Sequence, residues 1–333
     1  MSKPKVAFYW CASCGGCEEA VVDLAEDLLG VAAAVEIVLW PVALDFKRHH
    51  VEALKDGEIA VSFINGAVRT EEQEEMVKLL RRKSHLVVAF GSCAHLGGIP
   101  GLANMWDRDS IFDRVYKTVP TVNNPEGTLP KTRTQIDGVS LSLPEFFDTV
   151  HTLDQVIDVD YYLPGCAPPP DLILNAVTAI LEGKLPDPGT VLAPEKSLCD
   201  TCPRAETKPD ELVMTEIKRV HECDVDPKTC FLVEGVLCMG PVTRSGCGER
   251  CINANMPCRG CFGPPGEVAD QGAKMLGAIA SILGVQDEEK MTEQQVGDLI
   301  GQIEDPVGSF YMYALAHSIL RRRQMHTQES LKG

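Results

Sequence analysis

Short apolar runs alternate with longer amphipathic stretches through the first half of the chain. Lys5–Trp10 (KVAFYW), Val35–Trp40 (VEIVLW), Ile59–Ile64 (IAVSFI), His85–Phe90 (HLVVAF) and Val159–Leu163 are rich in β-branched and aromatic residues, and each predicts a strand. Asn65-Gly66 ends the third run. Glu18–Leu29 reads as a helix. So does the stretch after Thr70, with Glu71, Glu72, Glu74 and Glu75 in its first turns and Arg81, Arg82 and Lys83 at its end. That order of charges complements the helix dipole. A further helix, Asp171–Leu181, is opened by Pro168, Pro169 and Pro170.

Strands alternating with helices imply a doubly wound parallel sheet covered on both faces, an α/β architecture. Three of the strands run straight into cysteines: the first into Cys14 and Cys17, the fourth into Cys93 and the fifth into Cys166. Carboxyl ends of parallel strands share one edge, where ligands bind. Cysteines remote in sequence therefore converge there.

Between Asn104 and Asp158 the periodicity fades into prolines, glycines and scattered charges, which predicts a solvated insertion or an arm ordered against a partner. A proline-punctuated linker, Leu185–Pro194, then divides the chain, and we place the domains at 1–188 and 189–333. From the linker to Pro265 there is little periodicity and an abundance of cysteine, so something other than secondary structure must organise the segment. Two or three helices are expected after it, over Glu267–Leu283, roughly Thr292–Ile303 and Phe310–Arg323.

Composition narrows the chemistry. At 44% hydrophobic and 24% charged, 333 residues can bury an ordinary core. A net charge of −17 argues against nucleic acid and anionic membrane as partners. The longest mostly apolar stretch, Met275 to Val285, is too short to span a bilayer. No targeting segment is read, because a strand begins at Lys5, and a soluble cytoplasmic protein is expected. In that compartment the fourteen cysteines suit metal or cluster ligation better than disulfides.

Soft thiolates in fours suit a 4Fe–4S cluster. The spacing offers three sets: Cys14, Cys17, Cys93 and Cys166; Cys199, Cys202, Cys230 and Cys238; Cys247, Cys251, Cys258 and Cys261. Gly16, Gly91, Gly165 and Gly260 stand beside ligands and would let backbone amides approach sulfur. Zinc ribbons and a thioredoxin-like pair at Cys14/Cys17 are the alternatives. The first needs tighter spacing of its pairs, and the second leaves Cys93 and Cys166 unexplained. Cys11 and Cys223 read as ordinary thiols, with Cys11 the alternative to Cys14 at the first cluster, His95 as loop packing or support for Cys93, and His221 as a lesser candidate ligand. Glu19 reads as an exposed helix start or part of the cluster edge. No catalytic motif such as HExxH, GxSxG or a P-loop is present, so no catalytic residue is assigned.

The motifs Cys14-x-x-Cys17, Gly91-Ser92-Cys93, Pro164-Gly165-Cys166, the run from Leu237-Cys238 to Gly246-Cys247, and Pro257-Cys258-Arg259-Gly260-Cys261 together resemble the small subunits of NiFe hydrogenases over most of the chain. The resemblance implies a flavodoxin-like domain with a proximal 4Fe–4S cluster on Cys14, Cys17, Cys93 and Cys166. It implies an irregular second domain with a medial cluster on Cys247, Cys251, Cys258 and Cys261 and a distal cluster on Cys199, Cys202, Cys230 and Cys238. Electrons would pass between the NiFe centre of a separate large subunit and an outside acceptor. Cys199 stands where periplasmic and membrane-bound members carry a histidine, and Cys251 supplies a fourth medial ligand, as in the cytoplasmic group. The phrases around Cys14 and Cys258 look most like the F420-non-reducing small subunits, which implies a small iron–sulfur delta subunit and heterodisulfide reductase as partners. The F420-reducing and sulfhydrogenase small subunits are the near alternatives. A complex-I-like quinone-reducing subunit would match only the first domain, and a zinc-stabilised scaffold without redox role is the reading from another class.

Overall fold

A computed structural model describes residues 3–266, 268–283 and 292–321. Among the described residues nine strands run in chain order: β1 (Lys5–Trp10), β2 (Glu36–Leu39), β3 (Ile59–Asn65), β4 (Val68–Thr70), β5 (Ser84–Phe90), β6 (Arg133–Ile136), β7 (Val139–Ser142), β8 (Phe146–His151) and β9 (Tyr161–Leu163). Five of them form one sheet in the order β2-β1-β3-β5-β9, every pair parallel. Counted within that sheet the order is 2-1-3-4-5, the flavodoxin-like arrangement, whose ligands bind beyond the carboxyl ends of the strands.

Strand alternation divides the core. Val6, Phe8, Val61, Phe63, Val88 and Phe90 face one side, where they pack with Val21, Trp40, Ile173 and Ala176. Phe8 stacks on Phe63 at 5.2 Å, which in turn meets Phe90 edge-on at 6.0 Å. Ala7, Val87 and Ala89 face the other side, against Met76, Val77 and Leu80 of the helix Glu71–Lys83. That helix is capped by Thr70, whose hydroxyl accepts from the Gln73 amide at 3.4 Å. Its charges are distributed as the sequence led us to expect.

The second half has a separate apolar cluster built on Leu198, Phe231, Ile252, Met275 and Phe310, with Cys238 and Cys258 among its buried members. Apart from the four-residue helix Arg250–Asn253 and single turns of 3-10 helix, the segment between the linker and Gly266 has little regular structure. Among the described residues no helix is long and apolar enough to cross a membrane.

Several expectations need correction. The helix read over Glu18–Leu29 is two helices, Gly16–Val22 and Asp27–Ala34, separated where Ala25 takes a left-handed φ of 51°. Amphipathic spacing continues across the break and conceals it. The helix expected over Phe310–Arg323 is not formed in the described residues: a short helix, Pro306–Phe310, precedes it, capped by Asp305, which accepts from Gly308 N at 2.9 Å, and the chain then proceeds in turns. The predicted start at Glu267 and the predicted end at 322–323 lie outside the described residues. The segment 104–158 is more ordered than its pattern suggests. It holds the helix Arg108–Asp113, strand β8 paired antiparallel with β4, and the hairpin β6–β7. Asp137 and Gly138, at φ 52° and 80°, form the tight turn of that hairpin. Ile136 lies opposite Val139 and Thr134 opposite Leu141, so one face is apolar, yet both strands are wholly exposed.

Leu80 is fully buried beneath the sheet, so Leu80→Ala is expected to lower stability by about 2–5 kcal/mol. Thr70→Ala, which removes only the cap, should cost about 1 kcal/mol. Denaturant unfolding of both variants checks the ranking.

Candidate metal centres

The carboxyl edge of the sheet brings the first group of cysteines together. Backbone bonds pin its loops: Cys11 N to Asn65 O at 2.8 Å after β1, Gly91 N to Leu163 O at 2.8 Å and Ser92 N to Gly165 O at 2.8 Å after β5 and β9. The packing is tight enough to dictate glycine twice. A Cβ on Gly91 would stand 2.4 Å from Cys17 Sγ, and one on Gly98 2.4 Å from Cys93 Sγ. Gly16 N donates to Cys14 Sγ at 3.4 Å.

The thiols report their neighbours through their acidity. Burial pushes the Cys17 thiol up, and Cys93, Cys166 and Cys14 add to the effect in that order. Cys93 is pushed up to about 12 by burial, then by Cys166 and Cys14. Cys166 is raised by burial and Cys14, and a hydrogen bond from Tyr313 partly offsets both.

A second group walls a cavity in the C-terminal half, lined by Cys199, Cys202, Cys230 and Cys238. Cys199 is pushed up to about 12 by burial and then by Cys238, Cys230 and Cys202. Cys238 rises to about 11 through burial, reinforced by Cys230 and Cys202 and eased by backbone hydrogen bonds at Gly240 and Cys258. The Cys258 amide lies 3.4 Å from Cys238 Sγ, and a Cβ on Gly240 would be 3.3 Å from Cys199 Sγ.

The third group is linked in the same manner. Cys247 is raised by burial, with contributions from Glu249 and Cys251. Cys261 is pushed up to about 12 by burial and then by Cys166, Cys247 and Cys251, while a backbone hydrogen bond at Cys166 lowers it. Cys258 lies well above the usual thiol range through burial, Cys238 and Cys261. The third group therefore touches the first through Cys166 and Cys261, and the second through Cys238 and Cys258. Among the described residues no three His, Cys, Asp or Glu side chains are placed to hold a single metal ion.

Cys11 stands apart, buried in the core under the sheet, its thiol raised by burial alone. Cys223 is half-buried and donates to Arg219 O at 3.5 Å. His95 is packing: it lies 4.6 Å from the Tyr162 ring, and burial first, then His317 and Arg244, lower it to about 3, so it is neutral. His221 lines a different cavity, with Arg219, Arg259 and Glu304. The Gly260 amide bonds the Cys258 sulfur, but the space left by its missing Cβ is filled by Gln271, 3.2 Å away, and not by sulfur.

Several supporting residues escaped the sequence reading. Glu18, not Glu19, is the buried carboxyl of the first edge. It accepts from Asn65 Nδ2 at 2.6 Å and from Trp40 Nε1, and burial raises its pKa against the pull of both bonds. Gln271 Nε2 donates to Val242 O, Gly260 O and Thr243 Oγ1, tying together the loops around Cys258. Tyr313 is raised by burial, then by Cys166, Cys261 and Cys251, which places it between the first and third groups. Only the helical position of Glu18, next to a cysteine at the sheet edge, carried a signal. Gln271 and Tyr313 arrive through closure of the fold.

The NADH ubiquinone oxidoreductase, 20 Kd subunit family matches residues 14–180. With a near full-length match to hydrogenase iron–sulfur subunits beside it, the chain belongs to the small-subunit family of NiFe hydrogenases, the iron–sulfur component of an oxidoreductase that pairs with a large catalytic subunit. Within that family it is similar to the iron-sulfur subunit of the F420-non-reducing hydrogenase of Archaeoglobus profundus, 39% identical over 323 residues, 96% of this chain and 98% of the relative. A subunit of the F420-non-reducing hydrogenase of Methanothermobacter thermautotrophicus is 36% identical over 319 residues, 96% of each chain. The fold is shared with the recombinant [NiFeSe] hydrogenase from Desulfovibrio vulgaris Hildenborough, with a TM-score of 0.51 at 18% identity over 79% of this chain and 94% of that one.

Gly91→Ala drives a methyl group against Cys17 Sγ and should lower the iron content of the purified protein. Gly57→Ala, with nothing within 4 Å, should leave iron unchanged. Iron assay of the two variants side by side decides whether the glycine serves the thiols.

Proposed function

We propose that this chain relays electrons between the NiFe centre of its large subunit and an iron–sulfur or heterodisulfide reductase partner through three 4Fe–4S clusters, in the cytoplasm. Residues 1–188 would carry the proximal cluster on Cys14, Cys17, Cys93 and Cys166. Residues 189–333 would carry the medial cluster on Cys247, Cys251, Cys258 and Cys261 and the distal one on Cys199, Cys202, Cys230 and Cys238. A small delta subunit would take the far end.

One observation supports the reading best: loops remote in sequence gather thiols at the carboxyl edge of the sheet and around one cavity of the second half, where Cys199, Cys202, Cys230 and Cys238 are neighbours and the Cys258 amide lies 3.4 Å from Cys238 Sγ. The donor set fits the group. Thiolates are soft ligands, and four of them suit a cube of iron and sulfide. The glycine cradle at Gly91, Gly98 and Gly240 leaves room beside sulfur that any side chain would fill.

Such a cluster supplies one-electron carriage when bound. The chain's own residues do the rest. Burial keeps water from Cys17, Cys93, Cys238 and Cys258, Gly16, Gly240, Cys258 and Gly260 aim amides at sulfur, and Tyr313 donates to Cys166. Amide donors to sulfur stabilise negative charge and so tune potential. The apolar face of the β6–β7 hairpin and the exposed Trp106 belong to the arm that starts beside the first cysteine edge, and we assign that arm to the large subunit.

Anaerobic assay should find about twelve irons and twelve acid-labile sulfides per chain, three cubes of four. Cys11→Ala and Cys223→Ala should keep that count, whereas Cys14→Ala or Cys166→Ala should uncouple H2 oxidation from dye reduction. About four irons with zinc, or wild-type activity in the last two variants, would overturn the assignment.

A further inference from the structure

The cavity walled by Cys199, Cys202, Cys230 and Cys238 has two other notable lining residues, Arg204 and Lys208, and no carboxylate among the described residues that line it. Arg204 is 3% exposed. Its Nη1 donates to the carbonyls of Asp226 at 3.2 Å and Thr229 at 3.0 Å, and its Nη2 to the carbonyl of Ile252 at 3.4 Å and Oδ1 of Asn255 at 2.6 Å. The guanidinium lies 4.2 Å over the Phe231 ring. Every one of these partners is neutral. Among the described residues no carboxylate forms an ion pair with it. The Asp226 carboxylate feels its field, but weakly: that group faces solvent and is engaged by the Thr229 hydroxyl and the Lys228 amide.

A buried cation surrounded by dipoles alone is poorly compensated. Its complement is an anion in the cavity it lines, and four thiolates on a cube of iron and sulfide form one. Reduction adds one electron to that cube and no proton, so its negative charge grows by one. We propose that Arg204, seconded by Lys208, raises the reduction potential of the cluster on Cys199, Cys202, Cys230 and Cys238, making that end the place where electrons collect. This rests on the ligation proposed above. The electron is one of the two that H2 oxidation on the large subunit releases, passed on singly. A fixed cation stabilises the more negative form, and low dielectric strengthens the effect.

The test is an EPR-monitored redox titration of the whole protein as wild type, Arg204→Gln, Arg204→Lys and Lys208→Gln, with iron counted for each. Arg204→Gln is expected to keep its iron and to lower one midpoint by at least a tenfold change in the reduction equilibrium, about 59 mV for one electron. Arg204→Lys should recover most of that shift, and Lys208→Gln should produce a smaller one in the same cluster. Full iron with an unmoved midpoint in Arg204→Gln overturns the role of the arginine. Should that variant lose iron, Lys208→Gln decides, since Lys208 is exposed and its loss leaves the fold intact: an unmoved midpoint there overturns the proposal. A wild-type protein short by four irons refutes the ligation itself, and the charge argument with it.

Discussion

Ionising a buried thiol beside three others is opposed twice, by desolvation and by the neighbouring negative charge. Cys17, Cys199, Cys258 and Cys261 all show both effects. The arrangement makes chemical sense around iron, whose charge favours the thiolate and whose bonds replace the lost hydration. The rest of the structure follows from keeping such fours together. The sheet brings distant loops to one edge, glycines yield space to sulfur, Gln271 ties the C-terminal loops to one another, and Tyr313 joins them to that edge.

The two halves solve this problem differently. In the first, a parallel sheet with buried faces fixes the direction of each strand, so its cysteines are placed by regular structure. In the second, an apolar cluster that includes Cys238 and Cys258 is spread along loops and single turns, so packing and cysteines share one core. A family whose members carry iron–sulfur clusters fits that division, because a group with several bonds to the chain can order a segment that hydrogen-bonded ladders do not.

How much of this was legible follows the same division. Strands β1, β3 and β5 were readable because burial on both faces leaves continuous apolar runs, and Thr70 because its cap and charge order are local. The convergence of Cys14, Cys93 and Cys166 was readable through topology, since parallel strands share their carboxyl edge. The break at Ala25 was hidden because hydrophobic spacing persists across it. The β6–β7 hairpin was missed because no core demands a pattern from fully exposed strands. Glu18 was overlooked in favour of Glu19, since which of two adjacent acids turns inward depends on Trp40 and Asn65, both distant in sequence. Arg204 carries no local signature at all: its role depends on carbonyls some twenty to fifty residues away.

The central claim is that three cofactor sites lie in series, with the Cys247, Cys251, Cys258 and Cys261 site in the middle. Its most direct test is EPR of the H2-reduced complex with its large subunit, comparing wild type with Cys251→Ala, a change at an exposed thiol. The account predicts that the variant keeps both outer signals when reduced chemically, loses the magnetic interaction between clusters, and no longer passes electrons from H2 to the far end. Undiminished interaction and undiminished reduction of the far cluster by H2 would contradict it.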